Sequence, residues 1–213
     1  MTVLERIADA VIRGSISEVE ELTNKALEEG GGVIKRILQE GYAAGLEVVG
    51  ERFSAGEIFL PEMLMAGETV KSGTRLLRPF LAEWDAQPVG TVVAGTVVGD
   101  SHDIGKDLVC MMLEGAGFKI IDLGTDVPAD RFISAAQANS ADIVVMSALL
   151  TTTRIAMEGI IQDIHASGLK NKVKVMVGGA PLTQDFADRI GADGYAPDAA
   201  LAVKKTKELL GSP

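Results

Sequence analysis

Residues 100–105 read Asp-Ser-His-Asp-Ile-Gly. A histidine among carboxylates can serve a metal. Neutral imidazole is a common ligand, and a carboxylate on its second nitrogen fixes the tautomer and raises its basicity. His102 is one of two histidines in the chain, and Asp100, two residues upstream, is spaced for that supporting role. Ser101, Asp103, Ile104 and Gly105 complete the turn. The chain holds a single cysteine, Cys110, so no Cys/His cluster accompanies the histidine. One histidine and no cysteine cluster suggest that a cofactor brings the metal. Two further groups could line a ligand slot. Ser147, Leu149, Thr151 and Thr153 alternate hydroxyls with an apolar residue, giving neutral hydrogen bonds inside an apolar crevice. Gly178 and Gly179 let backbone approach a ligand closely.

The elements that must position these groups follow from rhythm. Residues 1–85 show helical periodicity. Thr2–Arg13 is amphipathic, with Val3, Leu4, Ile7, Ala8 and Val11 on one side. Ser17 is the expected cap of a second helix running to about Glu29 and stopping at Gly30-Gly31-Gly32. A third helix is expected over Val33–Phe53. A fourth begins near Pro61, a good first-turn residue, and reaches about Trp84. Four helices with short joints imply an antiparallel bundle. Residues 86–90 read as a linker. The rhythm then changes: Thr91–Gly99, Lys119–Gly124, Ile143–Ala148 and Lys174–Gly178 are short, apolar, β-rich runs, and Gly194-Tyr195 begins a fifth. Helical patterns separate them over Gly105–Ala116, Ala129–Ala138, Thr153–Ser167, Leu182–Ile190 and Ala199–Leu210. This alternation predicts an α/β fold with a flavodoxin-like, Rossmann-like doubly wound parallel sheet of five strands, order 2-1-3-4-5. The organisation is a helical cap domain (1–85), a linker (86–90) and a ligand-binding α/β domain (91–213). In that order strands 1, 3 and 4 are neighbours, so Asp100, His102, Gly105, Ser147, Leu149, Thr151, Thr153, Gly178 and Gly179 line one crevice at the carboxyl ends of the strands, where open α/β sheets bind ligands.

Bulk properties exclude several classes. The net charge is −10, with 30 acidic against 20 basic residues. No basic run is present, which argues against a nucleic-acid partner. No uncharged apolar stretch approaches the ~20 residues of a membrane span, and no signal peptide is expected, so the cytoplasm is the expected compartment. Nucleotide binding is disfavoured: the first turn lacks a phosphate-cradling glycine pattern, and a carboxylate there would repel phosphate. Cys110 sits among Leu108, Val109, Met111 and Met112 and reads as a core thiol; Met111 and Met112 read as core, and His165 as surface.

Taken together, D-x-H-x-x-G, then S-x-L, then G-G resembles the vitamin B12-binding domain that holds cobalamin base-off and His-on. Between the blocks, 41 residues separate Gly105 from Ser147 and 28 separate Leu149 from Gly178, and both spacings fit that pattern. Val49-Gly50-Glu51-Arg52-Phe53 and Glu57-Ile58-Phe59-Leu60-Pro61 are similar to the cap of methionine synthase and of small corrinoid proteins in methyltransferase systems. Asp122–Pro128 and Gly178-Gly179-Ala180-Pro181 resemble the same proteins. Ser101 and Asp107 depart from the valine and asparagine common at those places, and Tyr42-Ala43-Ala44 from the usual apolar-proline pattern.

The resemblance implies the cofactor, cobalamin, cycling between methylcobalamin and a Co(I) corrinoid. It implies that His102 ligates the cobalt from below, that Asp100 bonds the far side of the imidazole, and that Thr153 bonds Asp100; a plain helix cap is the other reading of Thr153. Ser147 and Leu149 would line the slot for the nucleotide tail, with room left by Gly105, Gly178 and Gly179. Phe53 and Leu60 match residues covering the methyl-bearing face, or are simply bundle core, and the linker would be a hinge. The implied function is a corrinoid methyl carrier, not catalytic alone. Its partners would be a substrate-specific methyltransferase, an acceptor methyltransferase using tetrahydrofolate or coenzyme M, and a reductive activation protein. Methylamines, methanol, aromatic methyl ethers and quaternary amines all remain open as donors. A cobalamin-dependent sensor or regulator is the alternative.

Overall fold

The computed structural model describes residues 1–28, 30, 33–81 and 88–211. Gly31, Gly32 and residues 82–87 lie outside them. So do the expected ends of the second helix at Glu29 and of the fourth at Trp84, and most of the expected linker. The chain divides into two units, the first over Met1–Gln87 and the second within Pro88–Pro213.

The first unit is helical. Helix α1 (Val3–Ile12) opens with a capping box: the Thr2 hydroxyl accepts from the Glu5 amide, and the Glu5 carboxylate accepts from the Thr2 amide. Helix α2 (Ile16–Leu27) is capped at Ser15, not Ser17, and Ser15 makes no side-chain cap bond. Ser17 lies inside the helix. The expected single helix from Val33 is in three pieces: α3 (Val33–Arg36), a π-helical segment (Ile37–Ala43) and α4 (Ala44–Ser54). Close approach to α1 accompanies the widened turn. A Cβ on Gly41 would stand 2.8 Å from the Ile7 side chain, and one on Gly45 would stand 2.8 Å from the Ala8 carbonyl oxygen. Helix α5 (Leu60–Leu81) begins one residue before Pro61, as expected. Tyr42 is fully buried in this unit, its hydroxyl 2.6 Å from that of Thr23.

In the second unit, β1 (Thr91–Thr96), β2 (Lys119–Asp122), β3 (Ile143–Ser147), β4 (Lys174–Gly178) and β5 (Gly194–Ala196) form one parallel sheet, order β2-β1-β3-β4-β5. The intervening helices are α6 (Ile104–Gly115), α7 (Ala129–Ala138), α8 (Ala156–Ile164), α9 (Gln184–Ile190) and α10 (Ala199–Leu210). The expected order is the observed one. Strand β1 is buried along its whole length and β3 almost so, which suits central parallel strands covered on both faces. The edge strand β2 is exposed at Lys119 and Asp122. Val93, Phe132, Val144, Met146, Met157, Ile161, Val175 and Val177 belong to one apolar cluster.

Several expected boundaries move inward. Strand β1 ends at Thr96, and Val97 makes only an isolated parallel bridge with Val127 before the turn at Gly99, φ +83°. Helix α8 begins at Ala156, not Thr153, after a turn over residues 151–155. It ends at Ile164, and the partly exposed His165 caps it where a π turn begins. Cys110 is buried, as expected.

Candidate cofactor site

The first turn after β1 is held from several directions. The Thr96 hydroxyl donates to the His102 carbonyl at 3.0 Å. The Gly99 amide donates to the Asp126 carboxylate at 2.7 Å, and the Asp126 amide donates to the Asp100 carbonyl at 3.0 Å. Asp126 does this from a left-handed backbone, φ 55°, a region tolerated by aspartate better than by most residues.

Asp100 is the hub. Its side chain is fully buried. Oδ1 accepts from the His102 backbone amide at 3.1 Å and lies 2.7 Å from His102 Nδ1. Oδ2 accepts from the Leu149 amide at 2.8 Å, the Leu150 amide at 3.3 Å and the Thr153 hydroxyl at 2.6 Å. A buried carboxylate is costly unless its oxygens are satisfied. Burial alone would raise the Asp100 carboxyl pKa. Hydrogen bonds from Thr153, Leu149 and His102 outweigh it and hold the group well below the usual carboxylate range. Ionised at neutral pH, Asp100 can accept from Nδ1–H, an arrangement that leaves the lone pair on Nε2.

The His102 side chain is 48% exposed, and among the described residues Nε2 has no hydrogen-bond partner. Around it the carboxyl edge of the sheet exposes large apolar side chains: Val98, Ile104, Leu149, Leu150 and Ile155. Among the described residues no three His, Cys, Asp or Glu side chains converge to hold an ion. A single imidazole on an apolar surface suits a metal already carried in a macrocycle with an apolar face.

The other expected residues fall at the same edge. Ser101, Asp103 and Gly105 are exposed in the first turn and at the start of α6. A Cβ on Gly105 would meet open space, leaving room for a ligand to run alongside. Ser147 and Gly178 are register partners at the ends of β3 and β4, both half-buried, and Thr151 is exposed in the following loop. Gly179 has φ +128°, and a Cβ there would lie 2.0 Å from the Ala148 carbonyl oxygen, so only glycine lets these loops close on each other. Phe53 and Leu60 belong to the other unit. Phe53 is half-buried near the end of α4 and Leu60 opens α5 at 37% exposure, beside Phe59 at 69%.

Four residues have roles that side-chain type did not announce. Leu149 and Leu150 act through backbone amides, and Asp126 through loop geometry. The fourth is Lys106. It is buried, and its ammonium donates to both carboxylate oxygens of Asp122 at 2.8 and 2.7 Å and to Asp107. Burial opposes its charge, but the bonds to Asp107 and Asp122 prevail and raise its pKa. Asp107, an unusual residue at its place, is thus engaged by a cation.

A family model described as a B12 binding domain matches residues 90–204, and a second B12 binding domain model matches residues 3–78. The chain is 44% identical over 207 residues to dimethylamine corrinoid protein 3 of Methanosarcina acetivorans, covering 97% of this chain and 96% of that protein. Among solved structures it is similar to a cobalamin-binding protein from Desulfitobacterium hafniense DCB-2, with TM-score 0.85, 30% identity, and coverage of 98% and 99% of the two chains. It is also similar to the methanol:cobalamin methyltransferase complex MtaBC from Methanosarcina barkeri, with TM-score 0.80, 29% identity, and coverage of 99% of this chain and 80% of that one. No helix among the described residues is long and apolar enough to cross a membrane.

Proposed function

The chain belongs to the family of B12-binding corrinoid proteins, and from that membership we propose that it is a methyl carrier between two methyltransferases. The observation that carries the reading is the state of His102. One ring nitrogen is fixed by a buried, ionised Asp100, and the other is unengaged among exposed apolar side chains.

Bound cobalamin would supply a cobalt able to accept and release a methyl group. The chain's residues have separate tasks. His102 Nε2 would ligate the cobalt of bound cobalamin. Asp100 keeps the proton on Nδ1 and orients the ring. Thr153 and the Leu149 and Leu150 amides keep Asp100 ionised, so ligand basicity is governed from the protein interior. Ser101, Asp103 and Ile104 border the ligand in the first turn. Ser147, Leu149 and Thr151 would line the tail slot, with open space beside Gly105, while Gly178 and Gly179 let the neighbouring backbones approach each other. Phe53 and Leu60 would help to shield a bound corrinoid from water, as the resemblance implies. The partners are a substrate-specific methyltransferase, an acceptor methyltransferase and a protein that restores the reduced corrinoid. The dimethylamine corrinoid protein at 44% identity makes a methylated amine the first donor to try.

The test is reconstitution of the apo-protein with cobalamin, reduction to Co(II), and electron paramagnetic resonance. Histidine labelled with nitrogen-15 should change the axial nitrogen splitting, and His102→Ala should remove it. Splitting that ignores the label refutes the ligand assignment. Methyl transfer to and from the reconstituted protein, assayed with amine, methanol and ether methyltransferases, then identifies the donor. Failure of all of them to methylate a correctly ligated protein refutes the carrier role.

A further inference from the structure

The loop after β4 is fastened by residues without a role so far. Gly179 to Leu182 forms a tight turn, the Leu182 amide donating to the Gly179 carbonyl at 3.0 Å. The Tyr195 hydroxyl, from β5, donates to the Leu182 carbonyl at 3.1 Å. The third fastening comes from the β3 side. Arg154 Nη1 donates to the Pro181 carbonyl, and its guanidinium carbon lies 4.8 Å from the centroid of the Phe186 ring. Phe186 is buried in the first turn of α9, whose Thr183 cap follows this loop directly.

Arg154 also stands next to Thr153, whose hydroxyl holds Asp100. Its own amide donates to the Leu150 carbonyl at 3.1 Å. One residue therefore joins the segment that supports the axial histidine to the segment carrying Gly178 and Gly179. A planar guanidinium can stack on a ring and donate in its plane at once, which an ammonium cannot do. The Gly178-Gly179-Ala180-Pro181 segment and the Ser147–Thr153 segment, joined by the Ser147–Gly178 register and the Ala148 amide donating to the Gly178 carbonyl at 3.3 Å, are the walls of the tail slot under the reading above. Arg154 is the side-chain strut between them.

We propose that Arg154 is a positioning residue that sets the width of this slot, and thereby makes the chain select corrinoids with a complete nucleotide tail. The inference rests on the cobalamin reading above and adds a selectivity to it. Arg154 fastens the two segments that would flank the tail and is not itself among the residues that would hold the cobalt. Its loss should therefore fall on tailed corrinoids and spare truncated ones.

The test compares cobalamin with cobinamide, which keeps the macrocycle and lacks the nucleotide. Full-length wild type, Arg154→Met, Arg154→Lys, Tyr195→Phe and the surface control Arg131→Met are titrated with each ligand. Arg154→Met should weaken cobalamin binding by roughly tenfold, the scale of one lost charge-assisted hydrogen bond, and leave cobinamide binding unchanged. Arg154→Lys should fall between, and Tyr195→Phe should shift the ratio the same way by less. Arg131→Met should match wild type. Folded variants that lose both ligands equally, or neither, overturn the proposal. If Arg154→Met does not fold, Arg154→Lys and Tyr195→Phe carry the same ratio test. A wild type that binds no corrinoid overturns the cobalamin reading itself and this proposal with it. A wild type that binds cobalamin with an unmoved variant ratio overturns only the strut.

Discussion

Replacing Thr153 by valine removes one hydroxyl and little volume. That hydroxyl donates to Asp100 Oδ2 at 2.6 Å from a buried residue. A hydrogen bond to a charged group contributes about 1.5–3 kcal/mol. Asp100 keeps its bonds from Leu149, Leu150 and His102, so no acceptor is wholly orphaned, and the expected loss at neutral pH is about 2 kcal/mol. The pH dependence has a definite sign. The folded Asp100 carboxyl sits below its unfolded value. Its contribution is therefore complete above about pH 4 and is lost as pH falls through the folded value. Without Thr153 the folded value is less depressed, so the variant loses its share first. The apo-protein should show a lower urea midpoint with an unchanged slope at pH 7, a constant gap down to about pH 4, and acid unfolding at higher pH than wild type. Circular dichroism reads all three. A gap below about 0.5 kcal/mol, the range of ordinary surface changes, refutes the role of this hydroxyl. So does an acid midpoint that fails to rise.

Three other outcomes are expected. Burial pushes the Tyr42 phenol up to about 12 against the opposing bond to Thr23. Its contribution to stability is complete below about pH 10 and is lost as pH rises towards that value, worth about 2–3 kcal/mol in all. Tyr42→Phe should flatten the alkaline fall, and phenolate absorbance complete near pH 10 in the folded chain would contradict this. Gly105→Ala should leave the apo-protein no less stable, because the new methyl meets open space, yet weaken cobalamin binding. Gly179→Ala should instead destabilise the apo-protein by about 2 kcal/mol or more, through backbone strain and the clash with Ala148, and equal melting of the two variants would refute the contrast. Asp122→Asn leaves buried Lys106 with Asp107 as its remaining carboxylate, and the thermal midpoint should fall by an amount matching about 1–3 kcal/mol.

Much of the arrangement was legible in side-chain types. β-branched runs alternating with helical patterns gave the strand order, because parallel strands need helical crossovers and those crossovers leave few windings. The pairing of Asp100 with His102 followed from a spacing of two residues. The donors from Leu149 and Leu150 did not, because every residue carries the same amide and only the folded loop decides where it points. The π segment at Ile37–Ala43 was hidden for a related reason. Its residues are ordinary helix formers, and the widened turn occurs where Gly41 and Gly45 meet α1. Ser17 misled because its neighbour Ser15 satisfies the same local pattern and stands where the helix begins. The burial of Lys106 has no sequence signal, since it depends on a carboxylate from elsewhere, here Asp122 at the end of β2.

The bond from Thr153 to Asp100 spans 53 positions of the chain. Contacts that distant form only when the loop between them has closed, so they come late in folding. Until β1 and β3 have paired, His102 is an imidazole with no fixed tautomer or direction. Cofactor capture is therefore tied to completion of the sheet. If His102 is the cobalt ligand, a chain in which β1 and β3 have yet to pair would hold no positioned imidazole to offer a corrinoid.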